Sequence, residues 1–170
     1  MGVNRVSVND FELNILEILK DDARTEPARI AVMTGSDEAT VRESIHSMEE
    51  RGIIVKYPAM INWDLADGEE VEALIEVRVT PQRDQGFDAI AERIYRFEEV
   101  SSVYLMSGAY DLMVLVRGRT IKQLALFVSE KLSTLENVNS TATHFVLKKY
   151  KNEGVILEGV RRDERLAVTP

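Results

Sequence analysis

The sequence predicts an α+β chain of two units, a small helical one followed by a larger β-α-β-β-α-β unit of the ferredoxin-like kind. Three observations carry that prediction. Apolar residues recur at helical spacing through the first third, beginning with Phe11, Ile15, Ile18 and Leu19 in "NDFELNILEILKDD". Beyond Gly52 the period changes to Val-, Ile- and Leu-rich runs typical of strands. Two further helical stripes then interrupt four such runs, in an order that fits one sheet with helices on one face.

The first helix has Asn9 or Asp10 as its cap and ends at the polar break begun by Asp21 and Asp22. A second, over 25–34, has Thr25 as cap, Pro27 in its first turn and Gly35 at a left-handed exit. A third follows at once in "DEATVRESIHSMEERG", with Asp37 as cap, Gly52 as stop and Val41, Ile45 and Met48 as its buried stripe. Two helices joined by a short turn at a Gly form the helix-turn-helix pattern. "IIVKYPAMINW" then reads as extended, with Pro58 marking an edge or linker. From Val71 the order is strand "VEALIEVRVT", helix "QGFDAIAERIYRF", strand "VSSVYLM", strand "YDLMVLV", helix "TIKQLALFVSEKL" and strand "NSTATHFVLKKY". Phe87, Ile90, Ala91 and Ile94 form the inward stripe of one helix; Ile121, Leu124, Val128 and Leu132 form that of the other. The resulting domains are 1–56 (helix-turn-helix), 57–70 (linker strand), 71–151 (ferredoxin-like) and 152–170, an extension that starts strand-like and becomes charged. Leu74, Met113 and Leu115 make the uncovered sheet face apolar, so a second copy of the chain is expected to bury it.

Composition narrows the function. The chain has 170 residues, 45% apolar and 29% charged, which is globular and not disordered. Without cysteine it has neither disulfides nor thiolate metal sites, and it suits a reducing cytoplasm. No apolar run approaches the roughly 20 residues that span a bilayer, and "MGVNRVSVNDFEL" lacks the pattern of a signal peptide. His46 and His144 fall in different domains without ligand spacing, so no metal or other cofactor is expected. No Ser-His-Asp set, Walker loop or Gly-x-Gly-x-x-Gly is present, so no enzyme is expected either. A net charge of −8 argues against a nucleic-acid binder that works by bulk attraction.

A helix-turn-helix lays its second helix in the major groove. On a wheel anchored at Val41, the residues opposite the core are Ala39, Glu43, His46, Ser47 and Glu50. Thr40, Ser44 and Ser47 share one flank, and Arg42 and His46 the other. The face is acidic for that role: residues 1–60 hold 7 Lys/Arg against 11 Asp/Glu, a net of −4. Arg5, Arg24, Arg29 and Lys56 are candidates for phosphate contacts from the flanks. The second notable stretch is "SSVYLMSGAYDLMVLV", where two strand-like runs meet at 107–111 around Gly108, Tyr110 and Asp111. Gly108 permits φ > 0 and close approach of a ligand. Asp111 is able to accept hydrogen bonds from an ammonium group or from a neighbouring loop's amides; a hairpin whose Asp satisfies its own turn is the plainer alternative.

"GSDEATVRESIHSMEERGII", with "MSGAYDLMVLV" and "NVNSTATHFVLKKYK" further on, resembles the Lrp/AsnC (feast/famine) family of bacterial and archaeal transcriptional regulators. The resemblance covers nearly all of residues 10–151. It implies a winged helix-turn-helix followed by the ferredoxin-like effector-binding and oligomerisation domain called RAM. It further implies a homodimer with sheets face to face, assembling into tetramers or octamers, and binding double-stranded operator DNA. The DNA-binding candidates are Thr40, Arg42, Glu43, His46, Ser47 and Arg51. The family's small effectors, commonly amino acids, bind between dimers, which points here to Tyr104, Met106, Gly108, Tyr110, Asp111, Thr141 and Thr143. Relatives often carry several arginines around the positions of Ser44, His46 and Ser47; here Arg42 is the arginine within the helix and Arg51 lies at its end. Two alternatives follow from that departure. One is a ligand-sensing scaffold with weakened DNA binding; the other is an enzyme of the same architecture acting on tetrapyrroles, which two scattered histidines serve poorly.

Overall fold

The structure, a computed structural model, describes residues 6–66, 70–81 and 86–157. The chain divides into two compact units, Met1–Met60 and Ile61–Pro170.

In the first unit, α1 spans Asp10–Asp21 and opens with a reciprocal capping box. The Asn9 side chain accepts from the Glu12 N–H at 2.8 Å, and Glu12 accepts the Asn9 N–H at 3.0 Å. α2 spans Pro27–Thr34, starting two residues later than the sequence suggests. Thr25 does not cap it: its hydroxyl donates to the Asp22 carbonyl at 2.8 Å, closing the preceding turn. Pro27 at the first helical position has no N–H to satisfy, so Glu26 serves at the cap without a side-chain bond. Gly35 exits at φ 68, and α3 spans Glu38–Glu50 behind an Asp37 cap. Ile15, Leu19, Ile30, Ala31, Val41 and Met48 form this unit's core.

Residues 57–66, which run from the end of the first unit into the second, hold one 3-10 turn, Trp63–Leu65, where strand character was expected. Four strands form an antiparallel sheet in the order β2-β3-β1-β4: β1 (Val71–Val79), β2 (Val100–Leu105), β3 (Leu112–Gly118) and β4 (Val138–Phe145). The helices α4 (Asp88–Tyr95) and α5 (Ile121–Phe127) connect them. Strand alternation sends Ala73, Ile75, Val77, Leu112, Val114 and Val116 toward the helices, where they meet Ile90, Ile94, Leu124, Phe127 and Leu132. Ile121, expected to point inward, is exposed, while Phe127 takes the core position. A π-helical turn, Val128–Leu132, extends α5 and brings Leu132 into the core. Gly118 packs closely: a Cβ there would lie 2.9 Å from Leu124 Cδ2, so a larger residue makes that buried side chain shift. The extension begins with a short hairpin, β5 (Lys151–Asn152) against β6 (Val155–Ile156); residues 158–170 lie outside those described.

The opposite face of the sheet carries Leu74, Met113 and Leu115 at its centre, half-buried in the single chain, with Tyr104 and Ala142 exposed beside them. Charged groups ring this patch. His144 Nε2 lies 3.3 Å from Glu76. Glu72, nearly buried, accepts from Arg117 at 3.1 Å and from Lys149 at 2.6 Å.

Candidate functional site

Each unit carries one candidate site. In the helical unit it is the outer ridge of α3. Val41 and Met48 are fully buried and Ile45 packs beside them, so Ala39, Glu43, His46 and Glu50 face solvent. The six DNA-binding candidates differ sharply in availability. Thr40 is engaged in the cap: its N–H and hydroxyl both donate to Asp37, at 2.9 and 2.6 Å, and hold that carboxyl below its ordinary value. Arg42 donates from Nε to Glu38 at 2.8 Å, one turn back. His46 lies between two carboxylates, with Nδ1 3.9 Å from Glu49 and Nε2 3.3 Å from Glu50. Glu49 also accepts the Tyr57 hydroxyl at 2.7 Å; burial and that carboxylate push the phenol up to about 12. Glu43 and the half-buried Ser47 have no side-chain hydrogen bond or ion pair among the described residues.

Arg51 plays a different part. It leaves the end of α3 to pair with Glu12 and donates to the Ser7 carbonyl at 2.7 Å, tying α3 to the start of α1. The Arg51 guanidinium and the Asn9 N–H hold the Glu12 carboxyl below its ordinary value of 4.5. Neither cap box nor helical period foretells this pairing across the fold. Among the flanking cations, Arg24, Arg29 and Lys56 are exposed, and Arg5 lies outside the described residues.

In the second unit the candidate is the turn over 106–111, between β2 and β3. Asp111 anchors it three times: its N–H donates to the Val77 carbonyl at 3.1 Å, its carbonyl accepts the Met106 N–H at 2.8 Å, and its carboxylate Oδ2 accepts the Val79 N–H at 2.9 Å. The carboxylate thus serves neither its own turn nor solvent alone but the end of the neighbouring strand. Among the described residues Oδ1 accepts no hydrogen bond. Gly108 does not use φ > 0; a Cβ there would meet nothing within 4 Å, so its effect is to leave open space at the tip. The Tyr110 hydroxyl lies 3.9 Å from Met113 Sδ, which together with Tyr104 places aromatic groups on the uncovered sheet face.

One chain does not bring all seven effector candidates together. Thr141 and Thr143 pair with Val77 and Ile75 and share the helix-covered face, on the edge strand farthest from β2. Thr141 Oγ1 lies 3.3 Å from Ser133 Oγ. Tyr104 is on the other face, at the other edge. A cleft of about 600 Å³ does occur in the chain, but in the helical unit, lined by α1, α2 and the turn between them, including Ile18, Asp22, Arg29 and Met33. The 106–111 turn does not line it.

Both units match known families. Residues 72–156 match the Lrp/AsnC ligand binding domain, and 8–55 the winged helix-turn-helix DNA-binding domain. The chain belongs to the Lrp/AsnC family. It is a DNA-binding transcriptional regulator. The HTH-type transcriptional regulator YugG of Bacillus subtilis is 49% identical over 166 residues, covering 97% of this chain and all of YugG. The AsnC structure from E. coli superimposes with a TM-score of 0.65 at 25% identity, over 85% of this chain and 95% of that one. The regulator NMB0573 of Neisseria meningitidis, solved as a complex with L-Met, has a TM-score of 0.69 at 19% identity, over 89% and 98%. The Lrp/AsnC architecture, read from sequence as helix-turn-helix then β-α-β-β-α-β, is therefore the observed one. The curated relatives are transcriptional regulators, and among the described residues no helix is long and apolar enough to cross a membrane.

Proposed function

We propose that the chain is a sequence-specific regulator whose assembly or operator affinity responds to an amino acid bound at the 106–111 turn, between dimers. The observation that carries this reading is the state of Asp111. One carboxylate oxygen is fixed by the Val79 N–H, which sets the side chain's direction, and the other is left to accept from an α-ammonium group. The open tip at Gly108 gives the ligand room, and Met106 and Tyr110 supply apolar surroundings. A second chain enters the reading because Thr141 and Thr143 share the helix-covered face while Tyr104 lies on the opposite one. The L-Met complex of NMB0573 supports an amino acid as the ligand class.

Ligand sitting between dimers favours one assembly over another, and each assembly sets its own spacing of DNA-binding units; that differential binding is the coupling. The test compares wild type with Asp111→Asn by light scattering and operator gel shift, each with and without pooled amino acids. The substituted amide keeps an oxygen for the Val79 N–H but loses the charge. Wild type is expected to change mass or affinity with the pool, and Asp111→Asn to fold normally and not respond. An identical response from both proteins removes Asp111 from the site.

A further inference from the structure

We infer that Glu43 reads cytosine in the operator, its carboxylate accepting the N4 amino group at the edge of that base in the major groove. The inference rests on α3 being the DNA-reading helix and goes on to name the base it reads. Glu43 stands on the ridge opposite Val41, Ile45 and Met48, sixth among the thirteen residues of α3, and is exposed. Ala39, four residues earlier on the same ridge, is too small to hold the helix away from base edges.

The other carboxylates of α3 are partnered within the chain. Glu38 is held by Arg42, Glu49 by Tyr57, and Glu50 lies against His46. Glu43 alone among them has no polar partner among the described residues, so it breaks no internal bond on meeting DNA. A carboxylate is only an acceptor. Phosphates repel it, and so do the guanine edge, with acceptors at N7 and O6, and thymine O4. Adenine offers a donor at N6 but an acceptor beside it at N7. Cytosine presents one free N4 hydrogen with a C5–H, not an acceptor, beside it on the same base, and is the edge a carboxylate fits. A carboxylate at the centre of a groove-facing ridge therefore either reads cytosine or merely weakens binding to all DNA, and these two roles give opposite results on its removal.

The experiment is selection from a random double-stranded DNA pool by the full-length protein, with the recovered DNA sequenced, for wild type, Glu43→Ala and Glu43→Gln. Wild type is expected to enrich cytosine at one position of each half-site. Glu43→Ala should lose that preference, with affinity for the wild-type fragment falling about tenfold. Glu43→Gln, which keeps the side-chain volume and gains a donor, should shift the position toward adenine. An unchanged motif in both variants, or tighter binding by Glu43→Ala to every sequence alike, overturns the assignment while leaving sequence reading intact. A wild-type pool with no enriched position overturns sequence-specific binding itself, and the cytosine contact with it.

Discussion

Glu12, paired with Arg51, is one of two carboxylates, with the Asp37 cap, through which the helical unit responds to acid. The Arg51 pair and the Asn9 N–H favour the charged carboxylate, so Glu12 titrates lower in the folded chain than in the unfolded one. A depressed carboxylate contributes stability above its unfolded value and loses it as pH falls through the folded value. Wild type should therefore lose melting temperature as pH drops below about 4.5, and Glu12→Gln should be less stable at pH 7 and flatter across the acid range. A Glu12→Gln acid profile parallel to wild type contradicts the assignment. Asp111 gives a second test at this scale. Asp111→Ala strands the Val79 N–H and should cost about 1–3 kcal/mol in denaturant unfolding, whereas Asp111→Asn should cost much less. The Asp37 cap was legible, and the Asn9 cap as one of two candidates with Asp10, because they bond within one helical turn. The Arg51 pair and the Val79 bond to Asp111 were not, since they join positions 39 and 32 residues apart that only the fold brings together.

At the scale of elements, α3 offers DNA few cations. Of its own cations, Arg42 sits within the helix, while Arg51 at its end is committed to Glu12. Few phosphate contacts mean a shallow dependence of affinity on salt. Arg42→Gln should weaken binding to all sequences similarly and flatten the log–log salt slope by about one unit per DNA-binding unit. Loss of preference at one base position with an unaltered slope would instead make Arg42 a base reader. The buried stripes of α3 and α4 were readable from period alone, because one face of each meets a core. α5 was readable only in part. Leu124 and Leu132 are buried as their spacing predicts, whereas Ile121, in the first turn, is exposed and Phe127, three residues after Leu124, takes a core position in its place. Likewise the Thr141 and Thr143 side chains took their face from the register of β4 on β1, which one sequence does not display.

At the scale of the whole molecule, the uncovered face of the sheet is what predicts a second copy. Leu74, Met113 and Leu115 form an apolar centre that no element of the described chain covers, bordered by Glu76 with His144 and by Glu72 with Arg117 and Lys149. That arrangement, apolar within and charged around, is that of a protein interface. The succession of strands along the chain was legible in sequence and so was an apolar face left uncovered; the charged border was not, since it arises from cross-strand pairing of Glu72 with Arg117. A second copy covering this face would put two helix-turn-helix units on one assembly, the arrangement in which dimers read paired half-sites. The most direct measurement is the mass of the full-length protein by light scattering at micromolar concentration. The account predicts at least two 19.2 kDa chains per particle, and a variant with Leu74 and Leu115 both replaced by Lys that falls to one. A wild-type protein that is monomeric at that concentration contradicts it.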